Sequence, residues 1–275
     1  MRILIIKTGE IETFDLENRV RMVSLGDVLR TTVLAHAVGD LTWYVSDESR
    51  RLLAGQSITE KIDPTLYDYV LNLENDEEIF SHLKNNTLGF FKKNHLRLLS
   101  GEEFELREFL QTFSHLNWPE KLFKLLNRSW QQERPLLKVV NTKRSKDVGL
   151  NWKVGPKWPA KDWGKEKWVG VYELISQEFK VSWQEGFDDL EAYISWISQH
   201  KVILTHDSLG LHIAQALKIP VIALFGPTSS KEIPLYEEDI FLNFQEDPYL
   251  TSSRIDEILK SVLLRSENES SVRRK

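Results

Sequence analysis

Three short stretches of the 275-residue chain gather side chains able to move a proton or hold an anion. The first is Ser24-Leu25-Gly26-Asp27, directly ahead of a helical stripe of apolar residues. A carboxylate there either caps free helix N–H groups or, at the carboxyl end of a parallel strand, acts as a general base. The second runs Thr205-His206-Asp207-Ser208-Leu209-Gly210-Leu211-His212 and is followed by Pro220 to Thr228 (PVIALFGPT). A strand that ends at Asp-Ser and passes at once into a helix turns the N–H groups near Gly210 and Leu211 toward an anion, phosphate being the obvious one. Ser208 and Thr228 supply hydroxyls, Gly210 permits close backbone approach, and Gly226-Pro227 turns the next strand end into a neighbouring loop. Helix capping and plain chain reversal stay open as explanations of the same residues. The third is Gly155-Pro156-Lys157-Trp158-Pro159-Ala160-Lys161-Asp162-Trp163, flanked by Trp152 and Trp168. Prolines fix this loop and Trp rings anchor it, so its lysines are either aimed at a phosphate or laid across exposed Trp faces. Stacking on single-stranded nucleic acid is a third use of the pattern.

Other chemistries lack their residues. The 13 glycines contain no G-x-G pair and no G-x-x-x-x-G-K-[ST] loop, which removes the dinucleotide and P-loop fingerprints. There is no G-x-S-x-G, no H-E-x-x-H and no D-x-D. Of the 7 His residues, His206 and His212 come nearest to a ligand pair, but no third ligand clusters with them, so no metal site is expected. Zero Cys excludes disulfides, thiolate metal ligands and Cys nucleophiles, and points to a reducing compartment. A net charge of −5, from 36 basic and 41 acidic residues, argues against nucleic-acid binding across the whole surface. The opening MRILIIK is too short an apolar run for an export signal, and the longest such run, Val221 to Phe225, falls far below the roughly 20 residues of a membrane helix. The expected location is the cytoplasm.

The elements that must position these residues follow from hydrophobic periodicity. Arg2 to Lys7 reads as a buried strand, Val28 to Val38 as a helix and Leu41 to Val45 as a strand, one βαβ unit. Tyr67 to Leu73 is a further strand, ending in Asn72-Leu73-Glu74, whereas residues 76 to 135 are charged and mostly helical or irregular. The polar stretch Asn141 to Asp147 marks a boundary, and strand Val148 to Val154 starts a second set. Helix Lys165 to Gln177, strand Phe179 to Trp183, helix Leu190 to Ile197, strand Lys201 to Thr205, helix Leu211 to Leu217 and strand Val221 to Phe225 complete it. The final residues 266–275 (SENESSVRRK) carry one apolar member and are expected to form a disordered tail.

In this order, the three segments resemble glycosyltransferase family 9, the bacterial heptosyltransferase family. Ser24 to Asp27 is similar to its S-x-G-D turn, Lys157 to Trp163 to its W-P-x-K-x-W loop, and Asp207 to His212 with Phe225 to Thr228 to its D-[ST]-G-x-x-H and F-G-P-T elements. The resemblance implies a GT-B type α/β fold, two Rossmann-like domains facing across a cleft: residues 1–140 on the acceptor side and 141–265 on the nucleotide-sugar side. It also implies transfer with inversion, without a metal or other cofactor, of a sugar from a nucleotide sugar, ADP-heptose by family membership, to a hydroxyl of a lipopolysaccharide-type or other cell-surface glycan or glycolipid. Asp27 becomes the general base and Lys161 the cation on the donor phosphates. Ser208, Gly210, Leu211, His212 and Thr228 line the donor, with Asp207 shaping that turn. Peripheral contact with the inner face of the cytoplasmic membrane is implied too, and no nucleic acid. Two departures stand out. Thr8 to Val23 is an added segment, and between Gln177 and Lys201 one strand-helix unit is missing with its acidic residue for the nucleotide ribose, a role Glu185 is placed to take. A protein that binds a nucleotide sugar without chemistry is the alternative, as is another nucleotide-sugar-processing α/β enzyme.

Overall fold

A computed structural model describes residues 1–14, 19–139, 143–155, 158–186, 189–247 and 250–272. The chain forms two compact units, Met1–Lys138 with Lys231–Pro234 and Val139–Ser230 with Leu235–Lys275.

In the first unit, Ile3 to Ile6 are wholly buried, as a strand covered on both faces requires. They form β1 (Arg2–Ile6), with β4 (Asp40–Tyr44) on one side and β6 (Tyr69–Asn72) on the other, both parallel to it. With β5 (Ser57–Ile58) and β7 (Thr87–Lys92) the parallel part reads β5-β4-β1-β6-β7, so the chain's direction of growth reverses between β1 and β6. Ligands bind outside the carboxyl ends of strands at such a point. Helix α2 (Glu77–Phe80) lies between β6 and β7, and antiparallel β8 (His95–Arg97) and β9 (Glu103–Glu105) extend this sheet, followed by α3 (Leu106–Thr112) and α4 (Trp118–Leu125). The charged stretch expected to be helical or irregular thus contributes three strands. Alternation in three- to six-residue strands is too brief to stand out among polar neighbours. The added segment Thr8 to Val23 contains an antiparallel pair, β2 (Glu10–Phe14) with β3 (Arg19–Val23).

The helix expected over Val28 to Val38 is instead α1 (Leu25–Thr31) followed by a 3-10 turn, Thr32–His36. The Thr31 and Thr32 hydroxyls each donate to a carbonyl three residues back, Val28 and Leu29, at 2.7 Å. Such back-bonding bends helices.

The second unit is a five-stranded parallel sheet ordered β11-β10-β12-β13-β14. Its strands are β10 (Lys146–Asn151), β11 (Val181–Trp183), β12 (His200–His206), β13 (Val221–Phe225) and β14 (Ile240–Asn243). Helices α5 (Lys165–Ile175), α6 (Leu190–Ser198) and α7 (Leu209–Ala216) connect them, and α8 (Ser252–Val272) closes the unit. Here the strand order reverses between β10 and β12, the strands that end at Asn151 and His206. Helix α8 runs through most of the stretch expected to be a disordered tail, to Val272; residues 273–275 lie outside the described residues. Its buried residues Ile255, Leu259, Val262 and Leu263 form the helix, and adding residues to a formed helix costs far less than starting one. Of the expected boundary Asn141 to Asp147, residues 141–142 lie outside the described residues, while Lys146 and Asp147 already belong to β10.

Gly89 in β7 has φ +70°, and a Cβ there would collide with the Asn72 carbonyl. Gly89→Ala should destabilise the protein by more than about 1 kcal/mol, because alanine resists positive φ and the obstacle is backbone. The check is a urea titration in which the midpoint falls at unchanged slope.

Candidate functional site

Asp27 lies in the first turn of α1, where Ser24 is the N-cap but makes no side-chain cap bond. The Asp27 carboxylate is paired with the Arg30 guanidinium one turn along. Arg30 in turn lies 5.1 Å from the centre of the Trp118 ring. Past the end of β1, Lys7 pairs with Glu74 at 3.0 Å, and the same Glu74 oxygen accepts from the Thr8 hydroxyl at 3.2 Å and the Gly9 N–H at 3.0 Å. Asn72 fixes that corner: its side-chain oxygen accepts the Glu74 N–H at 3.1 Å, and its amide donates to the carbonyls of Glu74 and Phe90 at 2.9 and 2.8 Å. Burial alone would push the Asp27 carboxyl up; the charges of Arg30 and Lys7, with the Ser24 hydroxyl, pull it down to about 2. Arg30 and Lys7 are charged neighbours of Asp27 that motif reading missed. The three-residue spacing of Asp27 and Arg30 on one helix was the available signal.

In the second unit the Trp loop docks on the end of β12 through His206. The Trp163 N–H donates to His206 Nε2 at 3.0 Å, and the buried Trp168 ring meets the His206 ring edge-on at 5.0 Å. Burial holds His206 down to about 4, so the ring is neutral at pH 7 and Nε2 accepts. This anchoring brings Lys161, at the end of the 3-10 turn Pro159–Lys161, onto Asp207: its ammonium donates to Oδ2 at 2.7 Å and to the main-chain carbonyl at 3.1 Å. Both side chains are close to nine-tenths buried, 12% and 13% exposed. Burial would push Asp207 up, but the Lys161 ammonium, His212 and the Thr228 hydroxyl together hold it below the usual carboxylate range. The Trp loop, the Asp207 turn and Thr228 therefore converge on one place. Lys157 lies outside the described residues.

Two roles change when the geometry is known. The Leu211 N–H, expected to meet the donor, bonds to the Ser208 carbonyl at 3.1 Å, which leaves Leu209 and Gly210 at the open end of α7. Gly210, expected to let a phosphate approach, faces protein: a Cβ would collide with the Asn151 amide and the Tyr193 hydroxyl. Glu185 follows β11 and is exposed, its carbonyl taking the Lys153 ammonium. Among the described residues no cluster of three His, Asp or Glu is arranged to hold a metal, and no helix is long and apolar enough to cross a membrane.

Residues 187–260 match the model of glycosyltransferase family 9 (heptosyltransferase). Solved structures extend the likeness to the whole chain. Escherichia coli ADP-heptose LPS heptosyltransferase II is 16% identical, with a TM-score of 0.68 over 97% of this chain and 100% of that one. Escherichia coli heptosyltransferase WaaC, solved with ADP, is 14% identical, with a TM-score of 0.63 over 95% and 100%. The family 9 glycosyl transferase of Veillonella parvula DSM 2008 is 14% identical, with a TM-score of 0.63 over 96% and 97%. The chain resembles glycosyltransferase family 9 in sequence and in fold. Its fold class is the GT-B type, α/β with parallel sheets, and the family model and the fold together support a glycosyltransferase. A sequence comparison with curated proteins finds no match.

Buried histidines set a pH dependence of stability. His200, bonded to the Ser182 hydroxyl at 2.7 Å, is held down to about 4 by burial, as is His206. An unfolded chain takes protons near 6.5 that these folded rings refuse, so stability is complete above pH 6.5 and declines as pH falls toward 4, by up to about 1.4 kcal/mol per pH unit for each ring. Asp27 adds a loss below its ordinary 3.8, running to about 2. Urea titrations across pH 4 to 7 should show the first slope, and His200→Gln with His206→Gln should flatten it; an unchanged slope contradicts this assignment.

Proposed function

We propose that the chain is an inverting, metal-independent glycosyltransferase that moves heptose from ADP-heptose onto a hydroxyl of a lipopolysaccharide-type or other cell-surface glycan. The observation that carries the reading is the Lys161–Asp207 pair beside the open end of α7, at the reversal point of a parallel sheet. Helix N–H groups and a buried ammonium suit a diphosphate, whose charge grows as it leaves. WaaC has been solved with ADP and with ADP-2-deoxy-2-fluoro heptose, which supports an ADP-sugar as donor.

In the reaction the acceptor oxygen bonds to the anomeric carbon from the face opposite the diphosphate. The bond from that carbon to the diphosphate oxygen breaks, and its electron pair leaves with ADP. The acceptor's proton passes to Asp27. A carboxylate held at about 2 is a weak base toward a free alcohol, so this transfer accompanies bond formation, when the acceptor oxygen becomes strongly acidic. Lys161 exchanges Asp207 for the diphosphate, or bridges the two, as the donor arrives. In this reading Glu185 meets the nucleotide ribose. The work belongs in the cytoplasm, where nucleotide sugars are made, at the inner face of the membrane that holds a glycolipid acceptor.

A second reading, nucleotide-sugar binding without chemistry, is favoured by one observation: the proposed base is already paired with Arg30. Asp27→Asn separates the two. Turnover should fall by about 10²-fold or more while ADP affinity barely changes, since positioned acid-base groups give about 10² to 10⁴; equal transfer by a folded Asp27→Asn protein returns Asp27 to a structural role. Lys161→Ala should weaken ADP binding about ten- to a hundredfold in calorimetry, with EDTA leaving the rate intact. Rate loss in EDTA with rescue by Mg²⁺ would reject the metal-free mechanism.

A further inference from the structure

We propose that Asn151 and Tyr193 are positioning residues of the donor site: they hold the Ser208 hydroxyl away from helix α7 and so keep the first N–H groups of that helix open for a diphosphate. The inference rests on the donor site proposed above and deepens it.

A serine at a helix N-cap ordinarily turns its oxygen onto an N–H of the first turn and stabilises the helix by about 1 kcal/mol. Ser208 stands at the N-cap of α7 with extended backbone, φ −149° and ψ 177°, yet makes no such bond. Its hydroxyl is used elsewhere. It accepts from Asn151 Nδ2 at 3.1 Å and lies 3.3 Å from Thr205 Oγ1. Thr205 gives its own hydrogen to the His206 carbonyl at 2.9 Å, so the hydrogen between the two hydroxyls comes from Ser208. The Ser208 oxygen thus accepts from one partner and donates to another, and neither is an N–H of the helix.

Asn151 is the hub of this arrangement. It ends β10 opposite Thr205 of β12, in the register where the sheet order reverses, and is 1% exposed. One amide hydrogen goes to Thr205 at 2.7 Å, the other to Ser208, and its oxygen accepts from the Tyr193 hydroxyl at 2.8 Å. A buried amide with all its strong partners in place has one orientation. Burial raises the Tyr193 phenol above its ordinary value, so the hydroxyl stays protonated and donates. Gly210 is the matching half of the device: any Cβ there would strike the Asn151 amide and the Tyr193 hydroxyl, so the network sits directly beneath the first turn. Since the Leu211 N–H is taken by the Ser208 carbonyl, the N–H groups kept uncapped are those of Leu209 and Gly210. Ser208, expected from sequence to line the donor, becomes the residue kept off the donor's place.

The role predicts opposite responses from single and double variants. Asn151→Ala frees Ser208 to cap α7, so the dissociation constants of ADP and of inorganic pyrophosphate should rise about fivefold, the equivalent of one cap bond. Ser208→Ala placed in the Asn151→Ala protein removes the competing hydroxyl and should restore most of the lost affinity, a rescue that plain packing damage would not show. Tyr193→Phe, which removes one oxygen and keeps the ring, should weaken both ligands in the same direction by a smaller factor and covers the case in which Asn151→Ala does not fold. ADP affinity within twofold of wild type in Asn151→Ala or in Tyr193→Phe, or no rescue by Ser208→Ala, would overturn the inference while leaving the donor reading in place. A wild-type protein that binds neither ADP nor pyrophosphate would remove both.

Discussion

Buried polar groups at the carboxyl ends of the two parallel sheets must find partners, and how each finds one decides what remains for a substrate. In the first unit Asn72 spends its amide on two carbonyls, which fixes the corner that carries Glu74, and Glu74 in turn receives Lys7, Thr8 and Gly9. In the second unit Asn151 ties Tyr193, Thr205 and Ser208 together beneath α7. Both asparagines are the last residues of their strands, beside the reversal of strand order. An amide suits this place because it donates twice and accepts without carrying charge into the core.

Charge is handled by the same rule. Three cations near the ends of these strands are held by a carboxylate: Lys7 by Glu74, Arg30 by Asp27, Lys161 by Asp207. Removing a charge from water costs several kcal/mol unless it is paired, so these pairs are the price of keeping ammonium and guanidinium groups ready in partly buried positions. An anion that replaces or joins the carboxylate finds the cation already desolvated and oriented. Asp27 shows the other side of the arrangement: the charges that secure it also lower its basicity.

The Trp loop illustrates how packing delivers a charge. Trp163 and Trp168 are buried against each other, 5.9 Å apart and nearly perpendicular, and His206 receives the loop's main-chain N–H. Lys161 lies two residues before that bond, so its reach to Asp207 is set by the aromatic anchor rather than by its own flexible stem. Trp158, 51% exposed, lies outside the anchor with the Lys161 ammonium 5.6 Å from its ring centre.

Much of the frame was legible in the sequence. Continuous apolar runs at Ile3 to Ile6 and Val221 to Phe225 are strands because a run buried on both faces needs no alternation, and the Asp207-Ser208 turn announces a strand passing into a helix. The short β7 to β9 strands were not legible, since brief elements draw their stability from neighbours rather than from their own pattern, nor was the length of α8, whose polar end extends a helix already formed by its buried residues. Residue types and spacing, together with the resemblance to glycosyltransferase family 9, named Asp27, Lys161, Asp207, Ser208, Gly210, Leu211, His212 and Thr228 as chemical candidates. Only the tertiary structure decided most of their partners: Asp207 on Lys161, Asn151 on Ser208, and a crowded amide and hydroxyl facing Gly210. The physical reason is that periodicity encodes which face of an element is buried, whereas a hydrogen bond or ion pair between residues 46 or 57 positions apart depends on where two chains end up in space.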